Sequence, residues 1–226
     1  MFAEVTTDLL NGFGLTVLLF AVTLVAAIPL GLIVSFCSMT RFIPLKWLTK
    51  VFVWVIRGTP LMLQIIVISF IPNTVFEIPN REIADFFGTS MANVNFIFVC
   101  VAFIINYAAY FSEIFRGGIE SIPKGQHEAA QVLGMTRGQT FFLVVLPQVV
   151  KRILPPMSNE IITLVKDTSL ARVLGVVEII LAANQAVNLY VVIWPLFYAG
   201  AFYLAFNGIL TLLFSFIEKK LSYYKV

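Results

Sequence analysis

The chain has 226 residues, of which 60% are hydrophobic and 12% charged, with a net charge of +3 and a mean hydropathy of +0.95. A soluble domain carries about 25% charged residues, so a water-soluble enzyme or binding module is excluded and lipid must solvate much of the surface. The net charge is small, its distribution matters more than its size, and no nucleic-acid partner is expected.

The first residues carry Glu4 and Asp8 without any Lys or Arg. That is the wrong start for a cleavable signal peptide, so the first apolar run is expected to stay in the mature protein. About 20 mainly apolar residues make a transmembrane helix. Hydropathy places five spans at about 13–36, 51–71, 91–111, 143–165 and 190–216, the whole forming one all-α transmembrane domain over 1–226. Within the second, Arg57 and the Gly58-Thr59-Pro60 triplet suggest a kink near the start, a candidate hinge or gate together with Ser169 further on. Arg57 is expected to snorkel toward the interface. The uncharged stretch 179–217 is too long for one helix across a bilayer, so a short membrane-dipping segment at about 170–186 is expected before the last span.

Connections on one side hold twelve Lys and Arg: Arg41, Lys46, Lys50, Arg57, Arg116, Lys124, Arg137, Lys151, Arg152, Lys219, Lys220 and Lys225. The opposite side has three, Arg81, Lys166 and Arg172. The positive-inside rule then predicts an outside N-terminus and an inside C-terminus. Trp47, Trp54, Trp194, Tyr223 and Tyr224 read as interfacial anchors or packing groups. Cys37 and Cys100 lie in or beside apolar runs and make neither a disulfide framework nor a metal set, and the lone His127 has no companions; no metal site is expected.

Between the third and fourth spans, Pro123-Lys124-Gly125 signals a turn and residues 126–137 a polar, small-residue helix. Glu128 falls in its first turn, where the helix dipole favours an acid. Ala129, Ala130 and Leu133 form a shallow apolar face, and Gly134 permits close approach of another backbone. Such a face suits either a partner's groove or the chain's own bundle. Glu128-Ala129-Ala130, with Gly134 and a closing Leu146-Pro147, resembles the EAA signature of ABC importer permeases. Arg57-Gly58-Thr59-Pro60-Leu61, Glu113 to Ile119, Ile122 to Gln126 and Lys166-Asp167-Thr168-Ser169-Leu170 resemble, in order, the permeases of the histidine and glutamine type. The resemblance implies a multi-pass subunit of a prokaryotic cell membrane that moves a polar amino acid by alternating access. It also implies partners: ATP-hydrolysing subunits coupled through Glu128, Ala129, Ala130, Gly134 and Arg137, an external substrate-binding protein, and a second permease, identical or paralogous. The chain has no G-x-x-x-x-G-K-[ST] phosphate loop, so it is expected to bind no cofactor, with ATP and Mg held by the partner.

Ionisable groups at membrane depth mark pathways by default. The fourth span, entered by Pro155-Pro156, carries Ser158, Asn159, Glu160, Thr163, Lys166 and Asp167. Glu160, Thr163 and Asp167 share a helical face, so Glu160 and Asp167 are candidates for the ammonium of an amino acid, and Asn159 and Thr163 for hydrogen bonds to either end. The competing reading ties Glu160 and Asp167 to Arg57, Arg172 or Lys166 as structural ion pairs. Lys166 to Ser169 also reads as a helix end followed by a Ser or Thr cap. Gln64, Asn106 and Tyr107 either contact substrate or join helices by hydrogen bonds. Two other classes fit less well. An ion-coupled transporter or channel leaves the 126–137 helix without a role and calls for inverted repeats that the halves do not display. An intramembrane enzyme lacks a nucleophile–base pair.

Overall fold

The computed structural model describes residues 1–221, which are helical almost throughout and contain no strand; Tyr223, Tyr224 and Lys225 lie outside the described residues. Helix α1, Phe2–Met39, is a single rod of 38 residues. It extends past the 13–36 run, its early turns anchored by Val5 and Leu9, both buried with Ile179, Ala182 and Ala186, while the Thr6 and Thr7 hydroxyls donate back to Phe2 O and Ala3 O, each at 2.9 Å.

The second span departs from expectation. Instead of one kinked helix over 51–71, α2 (Ile43–Gly58) and α3 (Leu61–Val75) meet at a 112° bend. The cause is local. Pro60 has no N–H and its ring disfavours α geometry at the residue before it, and Thr59 is extended at φ −117, ψ 145.

A short α4, Asn80–Phe86, leads to α5, Met91–Glu120, whose N-cap Ser90 accepts a hydrogen bond from Asn93 N. Helix α6 covers Lys124–Val132. From Arg137 to Leu174 the chain is one helical run: α7 (Arg137–Gln139), a π turn over Thr140–Val145, α8 (Leu146–Asp167) and a 3-10 segment, Thr168–Leu174. Gly175, at φ +73, ends it. Residues 170–186, expected to dip into the membrane, fall on most of this 3-10 stretch and the first part of α9, Ile179–Tyr190. The last span begins at 194, not 190, because Val191 takes φ +54 and breaks the helix; α10 runs Trp194–Leu221 with Pro195 in its first turn. Helices α1, α5, the 137–174 run and α10 are each long and apolar enough to cross a membrane, and the sharply bent α2–α3 pair brings the candidate crossings to five where it is counted as one.

Helix α5 is the hub, touching α1, α2, α3, α4 and α8. Its Phe103, Tyr107 and Phe111 are fully buried in the main core with Leu19, Ile65 and Leu164. Helix α1 approaches α5 along a seam of small residues at four-residue spacing, Thr23, Ala27, Gly31 and Ser35. A Cβ built on Gly31 would lie 2.9 Å from Ala108 O and from Phe111 Cβ.

Gly31→Val is therefore expected to destabilise the chain by about 1–3 kcal/mol through overpacking. Gly14→Ala, with nothing within 4 Å of the added carbon, is expected to match wild type. Thermal unfolding of the detergent-purified protein compares them; equal midpoints for all three proteins would refute the seam.

Candidate functional site

The acids of α8 split from their polar neighbours. Glu160 and Asp167 are half-buried toward α5, whereas Asn159, Thr163 and Lys166, at spacings of four and three, form an exposed strip. Asp167 Oδ2 accepts a 2.7 Å hydrogen bond from the buried Tyr107 hydroxyl. Among the described residues neither acid forms an ion pair, so the structural pairing with Arg57, Arg172 or Lys166 is not made. Thr163 Oγ1 turns back to Asn159 O at 3.0 Å. Ser158 is buried, 3.3 Å from Glu218 Oε1.

Arg57 sits at the other end of the same α5 face. Its guanidinium lies 5.1 Å from the Tyr110 ring centroid and 3.6 Å from Glu113 Oε2. Arg116 grips Glu113 with two bonds, 3.0 and 2.6 Å, and Glu120 with a third of 2.6 Å. Asp167, Tyr107, Tyr110, Arg57 and Glu113 thus follow one side of α5. Gly58 lines the cavity beside Arg57. Ser169 lies apart from these groups, in a separate cavity of about 310 Å³ with Lys166, Arg172 and Tyr203.

Gln64 belongs to the bend at Thr59-Pro60. The amide N–H that Ile56 O would accept four residues on is missing at Pro60, and Gln64 Nε2 replaces it at 2.8 Å. The same nitrogen is 3.1 Å from Thr59 O and 2.9 Å from Thr59 Oγ1. Its Oε1 accepts from buried Asn106 Nδ2 at 2.9 Å. The bend at Pro60 is thereby stitched to α5, which commits most of Gln64's hydrogen-bonding capacity.

The helix expected over 126–137 is shorter, Lys124–Val132, which puts Glu128 in its second turn rather than its first. Gly134 lies past its end at φ +72. There Gly134 N bonds Gln131 O at 2.9 Å and Met135 N bonds Ala130 O at 3.0 Å, a glycine-terminated helix end that no L residue adopts without strain. Arg137 starts the next helix after a capping box of Thr136 and Gln139. Ala130 is buried against the chain itself. Glu128 and Ala129 are exposed, as are Val132 and Leu133 at 87% and 78%.

Residues 27–223 match the family of binding-protein-dependent transport system inner membrane components. The chain belongs to that family. It is 35% identical over 216 residues to the arginine transport system permease protein ArtQ of Bacillus subtilis, covering 95% of this chain and 92% of that one. The L-cystine permease protein TcyB of the same organism is also 35% identical over 216 residues, with 95% and 86% covered. A crystal structure of an amino acid ABC transporter with histidines superposes at a TM-score of 0.80 with 28% identity, covering 97% of this chain and 96% of that one. The methionine transporter MetNI shares the fold at 0.64 and 17% identity, with 96% and 95% covered. The permease carries the family's EAA motif on α6. Permease subunits of this family are not themselves catalytic.

One residue of the permease escaped sequence reasoning. Glu178, 1% exposed, caps α9: its oxygens accept from Ile180 N at 2.7 Å and Leu181 N at 2.8 Å. Tyr203 OH donates to it at 3.4 Å and lies 3.3 Å from Thr168 Oγ1. The Ser or Thr cap expected after Lys166 is not formed, since Thr168 Oγ1 bonds backward to Val165 O at 2.6 Å. The available signal was a lone acid immediately before an uncharged stretch. That is an N-cap position, and Asp, more often than Glu, fills it.

The hinge stitch generates a prediction for the permease. Gln64→Leu and Asn106→Leu each strand a buried partner, and the double variant is expected to lose less than the two singles together, with a coupling of about 0.6–1.7 kcal/mol. A double-mutant cycle of thermal unfolding measures it; strict additivity would show that the 2.9 Å bond contributes nothing.

Proposed function

We propose that the permease is the membrane-spanning subunit of an ABC importer that moves a polar L-amino acid by alternating access, driven by ATP hydrolysis in a separate subunit. The observation that carries this reading is the pair of acids Glu160 and Asp167, turned toward Tyr107 on α5 and free of ion pairs among the described residues. Carboxylates held at membrane depth without cations are costly unless a ligand or water meets them. The ammonium of an amino acid is the natural complement. Relatives named for arginine, L-cystine and octopine transport support the same substrate class.

The N-terminus lies outside and the C-terminus inside. In support, Arg57, Arg116 and Arg152 gather at the end of the bundle where α5 finishes, Arg152 donating to Ser121 O at 2.6 Å, and basic residues favour the cytoplasmic side. That orientation puts α6 in the cytoplasm, where its exposed Ala129, Val132 and Leu133 dock an ATP-hydrolysing subunit that holds ATP and Mg. Five crossings enclose no path of their own, so a second permease, identical or paralogous, completes it. An external binding protein delivers substrate, and the whole assembly belongs to a prokaryotic cell membrane. The Thr59-Pro60 bend, with Arg57 and Gly58 beside it, serves as the gate's hinge.

Two measurements test the reading. Leu133→Glu changes an exposed side chain, so the permease is expected to fold while the co-purifying ATPase falls about tenfold or more; full retention would remove α6 from the docking surface. Glu160→Gln is expected to raise the amino acid concentration that half-stimulates ATP hydrolysis by about tenfold or more, the loss of one charged hydrogen bond, with basal hydrolysis kept. Transport by the purified chain alone, without any ATPase, would overturn the importer in favour of a secondary transporter.

A further inference from the structure

Between α1, α2 and α5, where α5 finishes, lies a cavity of about 490 Å³ walled by Lys50, Trp54, Arg57, Tyr110, Glu113 and Arg116. Its charge is unbalanced, three cations facing the single carboxylate of Glu113. Arg116 uses one N–H on each guanidinium nitrogen for Glu113 and Glu120, which leaves two of its five donors unspent. Arg57 lies 3.6 Å from Glu113 without a hydrogen bond to it. The exposed Lys50 ammonium makes no ion pair and no hydrogen bond among the described residues. The cavity therefore holds a surplus of N–H donors and positive charge that asks for an anion with several acceptor oxygens.

The helix that forms its wall shows where that anion comes from. On α2, Lys46, Lys50 and Arg57 recur at intervals of four and seven residues, and Trp47 and Trp54 follow one stripe over, seven apart. Thr49 and Val53 pack inward, while Ile43, Trp47, Leu48 and Trp54 are all exposed. A helix with a basic stripe bordered by tryptophans and a broad apolar surface lies along a membrane interface rather than in water. The 112° turn at Thr59-Pro60 lets α2 lie at an angle to the crossing helix α3, so its basic stripe and the cavity face headgroup level together.

We infer that the cavity between α1, α2 and α5 binds the phosphate of an anionic phospholipid from the cytoplasmic leaflet. Lys50, Arg57 and Arg116 hold the phosphate oxygens, and Trp54 stands beside the glycerol and upper acyl chains. Basic pockets on the cytoplasmic side take anionic headgroups by this chemistry. The inference rests on the orientation proposed above. Free phosphate offers the same oxygens, but it has no use for Trp54 in the cavity wall or for the exposed apolar surface that Ile43, Trp47 and Leu48 add along α2.

The test uses the assembled permease–ATPase complex in nanodiscs of phosphatidylcholine with phosphatidylglycerol, bound lipid being counted by native mass spectrometry. Wild type is expected to retain phosphatidylglycerol over phosphatidylcholine, Lys50→Gln to lower that preference about fivefold, and Lys50→Arg to restore it. Equal preference in wild type and Lys50→Gln would overturn the site. Displacement of the lipid by inorganic phosphate would overturn its lipid source, and displacement by the transported amino acid would assign the cavity to the translocation path. Amino-acid-stimulated ATP hydrolysis, measured separately in phosphatidylcholine alone, reports failure of the importer reading independently of the lipid count.

Discussion

Close approach of α1 to α5 is the constraint on which the other placements depend. Lipid tails are as apolar as Leu, so two greasy helices gain nothing by meeting unless their backbones can come near. Thr23, Ala27, Gly31 and Ser35 on α1 provide that approach, and the Ala108–Ser112 side of α5 receives it. Committing that side of α5 to the seam leaves the opposite one, with Asn106, Tyr107, Tyr110 and Glu113, to face α3, α8 and α2. Each of these four residues meets a partner there: Gln64, Asp167, and Arg57 for the last two. A tightly packed apolar seam thus positions a polar line.

The bend at Pro60 depends on that line in turn. A proline inside a membrane helix strands the carbonyl four residues earlier, and hydrocarbon offers no water to satisfy it. Gln64 satisfies Ile56 O and is itself held by Asn106. The break is therefore a defined angle rather than a loose joint. A hinge built this way changes shape only by exchanging its hydrogen bonds, which suits an element with discrete positions.

The apolar runs made the crossing helices legible, because lipid imposes length and composition directly. The helix before the fourth span stood out as a polar stretch in a greasy chain, but its reading as the EAA segment rested on resemblance to a known family. The sharpness of the α2–α3 bend was not. Pro60 marks a break, but its angle depends on what Gln64, Thr59 and Asn106 do together, and 42 residues separate two of these partners. Gly134 was read for close approach, whereas its φ of +72 makes it a helix terminator. One-dimensional spacing does not distinguish those two uses of glycine. Glu178 was hidden because its burial is decided by groups distant along the chain, Tyr203 against its carboxylate and Thr16 against the neighbouring Ile179 N.

Helix α8 carries two polar stripes with different consequences. Glu160 and Asp167 turn toward α5, while Asn159, Thr163 and Lys166 remain exposed on the single chain. A crossing helix that showed Lys166 and Asn159 to hydrocarbon would bear a large penalty. Water or protein must therefore cover that strip, and within the proposed assembly the path between two permeases does so. The acids and the exposed strip thus occupy neighbouring faces of α8, Glu160 and Asp167 turned to α5 and the strip left for water or a second protein to cover. Under the proposed function, a zwitterion passing α8 would find carboxylates on one face and the Lys166 ammonium on the next.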